Sequence, residues 1–149
     1  MQPTPDHFMT MRILAVDPGE KHLGIALSDP TGTIANPLLT IGHISRTIDA
    51  AAIAQLASEN VVGCIVVGQA LDENNLPNLQ GRRAARLAAA IRQQTQIQVV
   101  LWDETGSTSA ARQARIELNT TRRKRRGHLD ELAATYILQT YLDAQSDSD

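Results

Sequence analysis

A chain of 149 residues, 42% apolar and 20% charged, holds one compact domain with a substantial core and leaves too little for a second. No stretch approaches the roughly 18 consecutive apolar residues of a membrane span, and a single cysteine excludes an internal disulfide and suits a reducing cytoplasm. The net charge of −2 hides an asymmetry, because eleven of the fourteen Lys and Arg fall between Arg82 and Arg126 with three acids among them. Such a basic half is the electrostatic footprint of a polyanion partner; solvated faces of Arg-rich helices account for it equally well.

Residues 1–11 lack the continuous apolar core of a secretory signal and read as a disordered leader. Arg12 to Val16 reads as a strand, and Leu23 to Leu27 as its hairpin partner across a glycine-containing loop. Thr31 to Ile41 reads as a third strand, entered through the turn Asp29-Pro30-Thr31-Gly32. Ser45 is a good N-cap for the helix RTIDAAAIAQLASEN, whose Ile48, Ala52, Ile53 and Leu56 share helical spacing. Val61 to Val67 is short, continuous and β-branched, as expected of a strand buried on both faces, with Cys64 packed there as a small hydrophobe. Gly68 ends it, and the polar loop LDENNLPNLQ follows.

Gly81 to Gln94 is an Ala-rich helix with Ala84, Leu87, Ala88 and Ile91 on one side and Arg82, Arg83 and Arg86 elsewhere within one turn of each other. Residues 97–102, IQVVLW, form a further buried strand with Trp102 in the core, ended by Asp103 and Glu104. Ser107 to Leu118 reads as a helix and NTTRRKRRG as a basic loop. Leu129, Leu132, Ala133, Tyr136, Ile137 and Thr140 mark an amphipathic terminal helix, after which 144–149 reads as a frayed tail. This order predicts an α/β fold over residues 12–143: a mixed sheet with an antiparallel hairpin edge and helices on both faces.

Three acids occupy structurally awkward positions. Asp17 follows an apolar strand, Glu104 follows the last strand beside Asp103, and Asp130 lies in the first turn of the terminal helix. Ligands of open α/β sheets gather outside the carboxyl ends of the strands, where these acids could meet. Three hard oxygen donors, with no Cys nearby and no His at zinc spacing, suit Mg²⁺ or Mn²⁺, ions able to bridge and polarise a phosphate. Taken singly, each acid has a plain structural role: an Asp-Pro turn, a loop acid, a partner for the helix dipole.

The segments DPGEKHLGIALSD, VVGQALDENN followed by Gln80 and the Arg-rich helix, DET at 103–105 and KRRGHLDELAATYILQTYLD at 124–143, in that order, resemble the YqgF/RuvX family. These are bacterial RNase H-like proteins related to the RuvC resolvases. The resemblance implies an RNase H-like, five-stranded mixed sheet and a metal-dependent nuclease acting on precursor 16S rRNA, with Holliday-junction resolution in DNA as the alternative. It implies Mg²⁺ or Mn²⁺ at Asp17, Glu104 and Asp130, RNA as first partner and DNA as second, a ribosome or its precursor nearby, no membrane, and a monomer or homodimer. Two positions depart from the family pattern. His22 follows Lys21 where the family has Arg, and Thr105 stands where the family has Arg, removing a bidentate phosphate contact.

Around the acids, Lys21 is a candidate phosphate contact, as are Arg82, Arg83 and Arg86 on their helix and Arg122, Arg123, Lys124, Arg125 and Arg126 next to Asp130. His22 is a candidate for proton transfer or nucleic-acid contact, against the commoner fate of a lone histidine as neither, and His128, two residues before Asp130, for helping at the metal rim, against a plain helix cap. Few exposed aromatics are available for base stacking, which favours recognition of backbone and shape. A nucleotide-binding module of the actin or sugar-kinase kind also opens with a strand, Asp and Gly hairpin, but needs a second phosphate loop and a longer chain. A non-catalytic RNA-binding assembly factor is the third reading, and three anions beside a phosphate argue against it.

Overall fold

The computed structural model describes residues 11–69, 79–103 and 129–147, with the backbone alone for Gln80, Leu129, Asp130 and Asp147. Among the described residues five strands are present: β1 (Arg12–Pro18), β2 (His22–Ser28), β3 (Ala35–Gly42), β4 (Val62–Gln69) and β5 (Gln98–Asp103). The described residues also form three helices: α1 (Arg46–Glu59), α2 (Leu79–Gln94) and α3 (Leu129–Asp147). The strands form one sheet in the order β3-β2-β1-β4-β5, with β1, β4 and β5 parallel and β2 and β3 antiparallel to their neighbours. The hairpin-edged mixed sheet expected from the sequence is therefore the one that forms. The expectations for the leader through residue 10, the loop 70–78, the helix Ser107 to Leu118 and the basic loop lie outside the described residues.

Strand alternation sorts the core into two layers. Leu14 and Val16 of β1, Leu23 and Ile25 of β2, and Ile65 and Val67 of β4 face α1 and α2, meeting Ala50, Ile53, Ala84, Leu87, Ala88 and Ile91. Ala15, Ala26 and Val66 face the other way, under Ala134, Ile137, Leu138, Tyr141 and Leu142 of α3. Helices thus cover both faces, as the continuous apolar run of β4 requires. Small Ala15 and Ala26 let α3 sit close to the strands it crosses.

Local expectations differ in register. The third strand starts only at Ala35, because residues 29–34 are taken up by a turn in which Asp29 accepts from the N–H groups of Thr33 and Ile34 at 2.8 and 2.9 Å. Ser45 does cap α1, accepting from Ile48 N–H. The buried positions of that helix, however, are Asp49, Ala50, Ile53 and Ala57, while Ile48 is 50% exposed. Asp49 turns inward because a buried carboxylate needs donors; it finds them in His43 and the Ile44 N–H.

On α2 all four expected apolar positions are buried. On α3 the buried stripe is Ala134, Ile137, Leu138, Tyr141 and Leu142, with Leu132, Ala133, Tyr136 and Thr140 at its half-buried border. That helix continues to Asp147, through most of the stretch expected to fray. Trp102 and Cys64 are half-buried and pack against the edge of the core beneath α3. The Trp102 indole donates to Thr140 Oγ1 at 3.0 Å and packs edge-on against Tyr141. Cys64 bonds the Tyr141 hydroxyl, and burial pushes the thiol up and the phenol up to about 12, so both are neutral packing groups.

Candidate active site

Because β1, β4 and β5 are parallel, their carboxyl ends share one rim. Asp17 pairs with Gly24 of β2, and the register of Val16 with Val67 puts Gly68 of β4 on its other side. Gly24 pairs onward with Thr40 and Gly68 with Trp102. The row across the sheet is therefore Thr40, Gly24, Asp17, Gly68, Trp102, in which Asp17 is flanked on both strands by residues without side chains. Alternation from Ala15 places the Asp17 side chain on the α3 face. Pro18, next in the strand, points to the α1 and α2 side, where it lines a cleft.

Asp103 closes β5 opposite Gln69, and alternation from Val99 and Leu101 puts it on the α2 side of the sheet, away from Asp17. Glu104 lies outside the described residues. Asp130 is the second residue of α3, one turn before buried Ala134. Among the described residues, no group of three or more His, Cys, Asp or Glu is placed to hold an ion, and the expected set has only Asp17 among residues whose side chains are described.

Of the expected phosphate contacts, Lys21 is exposed in the β1–β2 loop, directly beyond Asp17. That loop is tight: Gly19 N–H donates to His22 O at 3.0 Å, and a Cβ on Gly19 would lie 2.5 Å from the same oxygen. His22 is exposed at the start of β2. Arg82, Arg83 and Arg86 occupy the first turns of α2, which Gln69, at the rim, holds by donating to Gly81 O at 3.1 Å. Arg82 and Arg86 are exposed, and Arg83 reaches Glu20 of the β1–β2 loop at 3.6 Å. The fold thus brings Lys21 and Arg83 to the loop that follows Asp17. Arg122 to Arg126 lie outside the described residues.

Sequence reasoning missed a group on the other side of this loop: His43, Arg46 and Asp49 at the entry to α1, which line the cleft with Arg83 and Ser45. The signal was an acid, Asp49, within the first turn of a helix, indistinguishable by position from a partner of the helix dipole. No described helix is long and apolar enough to cross a membrane.

A family model described as RuvX, Holliday junction resolvase, matches residues 11–144. A protein of Thermoanaerobacter pseudethanolicus named "Putative pre-16S rRNA nuclease" is 40% identical over 136 residues, covering 91% of this chain and 98% of that one. One of the same name from Shouchella clausii is 38% identical over 138 residues, covering 91% and 97%. Among solved structures, the RuvC of Thermus thermophilus superposes with a TM-score of 0.58 at 15% identity over 92% of this chain and 97% of that chain. The fowlpox virus resolvase, solved with Holliday junction DNA, gives 0.55 at 12% identity over 91% and 99%. Identities this low speak for the fold alone.

Proposed function

The chain belongs to the RuvX family, and from that membership we propose that it hydrolyses phosphodiester bonds of nucleic acid, with ribosomal precursor RNA as substrate. The observation that carries this is Asp17, set between two glycines at the carboxyl rim of three parallel strands. Relatives named for pre-16S rRNA and covered almost end to end supply the substrate class.

The donor chemistry fits divalent cations, because a rim carboxylate followed by tight backbone offers hard oxygen. Asp17, Glu104 and Asp130 would hold a pair of Mg²⁺ or Mn²⁺ ions, with Asp17 shared between them. Glu104 stands two residues after Trp102, which lies on the α3 face with Asp17, and Asp130 stands one turn before a helix residue buried on that face. The ions, when bound, supply charge neutralisation at a phosphate and activation of water. The protein's own part is orientation. Lys21, Arg82, Arg83 and Arg86 hold strand phosphates at the rim, and Arg122 to Arg126 extend that track. We assign the protein to the cytoplasm, acting near the ribosome or its precursor as a monomer or homodimer.

Four-way DNA junctions are the second substrate class, favoured by the description of the family model. The test incubates purified protein with labelled single-stranded RNA, single-stranded DNA and a four-way junction, with and without Mn²⁺. Cleavage of RNA that requires Mn²⁺ and disappears in Asp17→Asn, at an unchanged melting midpoint, is expected. Undiminished cleavage by that variant refutes the role of Asp17, and cleavage of the junction alone transfers the function to DNA.

A further inference from the structure

Behind the β1–β2 loop, on the sheet face away from the Asp17 carboxylate, lies a cleft of about 280 Å³ that the acidic set does not use. Its least ordinary feature is the carboxylate of Asp49, only 3% exposed. Burying that charge is costly without donors, and the donors are the Ile44 N–H at 3.1 Å and the His43 ring at Nδ1, 2.5 Å away. The buried carboxylate therefore fixes the orientation of an imidazole that is itself 43% exposed and lines the cleft. With Nδ1 taken by Asp49, Nε2 is the ring atom left for a ligand. The His43 backbone is fixed as well, its N–H donating to Lys21 O at 2.9 Å, so the ring is tied to the loop that follows Asp17.

Arg46 from α1 and Arg83 from α2 stand around the same cleft, and Leu23 and Leu87 line it with apolar surface. The opposing charges are Asp49, engaged by His43, and Glu20, 3.6 Å from Arg83. Arg83 and Glu20 are 41% and 64% exposed, a pair worth little in water, which an incoming anion readily replaces. Between Asp49 and a phosphate, only the imidazolium form of the ring donates to both. The volume lies at the lower end for ligand sites, enough for one nucleotide and too small for several.

We propose that this cleft seats one nucleotide of the bound strand, its phosphate between Arg46, Arg83 and His43 Nε2 and its apolar surface on Leu23 and Leu87. The inference rests on the nuclease reading above. Pro18 and Gly19 directly follow Asp17 and line the cleft, so a strand with one phosphate at Asp17 enters it by crossing a single loop. His43, Arg46 and Asp49 then position the strand and set its register against the acids.

The test compares wild type with Arg46→Ala, His43→Gln and Asp49→Asn by fluorescence anisotropy of a labelled single-stranded oligoribonucleotide. Calorimetric titration with uridine 5′-monophosphate and with inorganic phosphate runs alongside, and every variant is melted. Arg46 is exposed and is not a donor to Asp49, so Arg46→Ala keeps the fold even if His43→Gln or Asp49→Asn does not. Oligonucleotide affinity is expected to fall about tenfold in Arg46→Ala and His43→Gln, at an unchanged melting midpoint in Arg46→Ala, the size of one charge-assisted contact. The logarithmic salt dependence of binding should become shallower by about 0.7 in Arg46→Ala, and the loss in kcat/KM should arise in KM. Unchanged oligonucleotide affinity and salt slope in both variants overturn the inference. So does weakened binding of the free mononucleotide alone, which would make the cleft a small-molecule site. Asp17→Asn separates the two claims: its continued cleavage sinks the nuclease assignment, while anisotropy still decides the cleft.

Discussion

Asp29 shows how one carboxylate can hold a turn at the protein surface. It accepts from the Thr33 and Ile34 N–H groups and from the Thr31 hydroxyl, and these donors hold its carboxyl well below the usual range. A carboxyl whose folded pKa is depressed contributes stability above its unfolded value, near pH 4, and loses it as the pH falls further. Asp29→Asn should therefore flatten the acid limb of the stability profile: its urea midpoint should lie below wild type at neutral pH and converge with it toward about pH 2. A constant gap across that range would mean the carboxylate charge plays no part. The same comparison explains which residues could be recognised from sequence. Asp17 stood out because an apolar strand runs straight into it. Asp49, inside a helical first turn, did not, since its burial depends on His43 arriving from the preceding loop.

At the level of elements, α3 is fastened to both edges of the sheet. Gln139 accepts from Ala35 N–H at 3.0 Å and donates to Thr33 O at 3.1 Å on the β3 side, while Trp102 of β5 donates to Thr140. Adjacent helix residues thus face opposite edges, which fixes the rotation of the helix and with it the position of Asp130 one turn before Ala134. Trp102→Phe keeps the edge-on ring contact with Tyr141 and removes the donor; Thr140→Val removes the acceptor. Each should cost about 1 kcal/mol, and their double-mutant cycle should return a coupling of about 0.5–1.5 kcal/mol in urea unfolding. Strict additivity would show that packing alone holds this contact. Periodicity revealed that α3 exists and is amphipathic, but missed its stripe by about one position. Amphipathic Tyr141 carries no strong apolar signal, and it packs on a tryptophan some forty residues away in sequence. Where only local apolar residues decide, as on α2, the expected stripe and the observed one coincide.

For the whole molecule, the parallel trio β1, β4 and β5 matters because it sends three chain ends to one rim, and the antiparallel hairpin β2–β3 leaves β1 inside the sheet. α2 begins at that rim with Arg82, Arg83 and Arg86, and its last turn lies at the far end, where Arg92 donates to Val99 O at 2.8 Å. Three guanidinium groups thus stand at the rim even though the chain total is only −2. A net count of that size predicts weak attraction to nucleic acid, whereas a basic rim backed by an acidic remainder predicts orientation: strands approach from one end and are repelled elsewhere. The two pictures differ in salt dependence. If Arg122 to Arg126 each neutralise a phosphate of single-stranded RNA, replacing all five by Gln should lower the logarithmic salt slope by about 3.5, at roughly 0.7 per contact. Replacing five acids from the remainder of the chain should leave that slope nearly as it was and shift affinity uniformly. Binding isotherms between about 50 and 200 mM salt separate these outcomes. A slope indifferent to the five basic residues would place the polyanion track on α2 and the β1–β2 loop alone, within reach of Asp17 but too short to hold more than a few nucleotides.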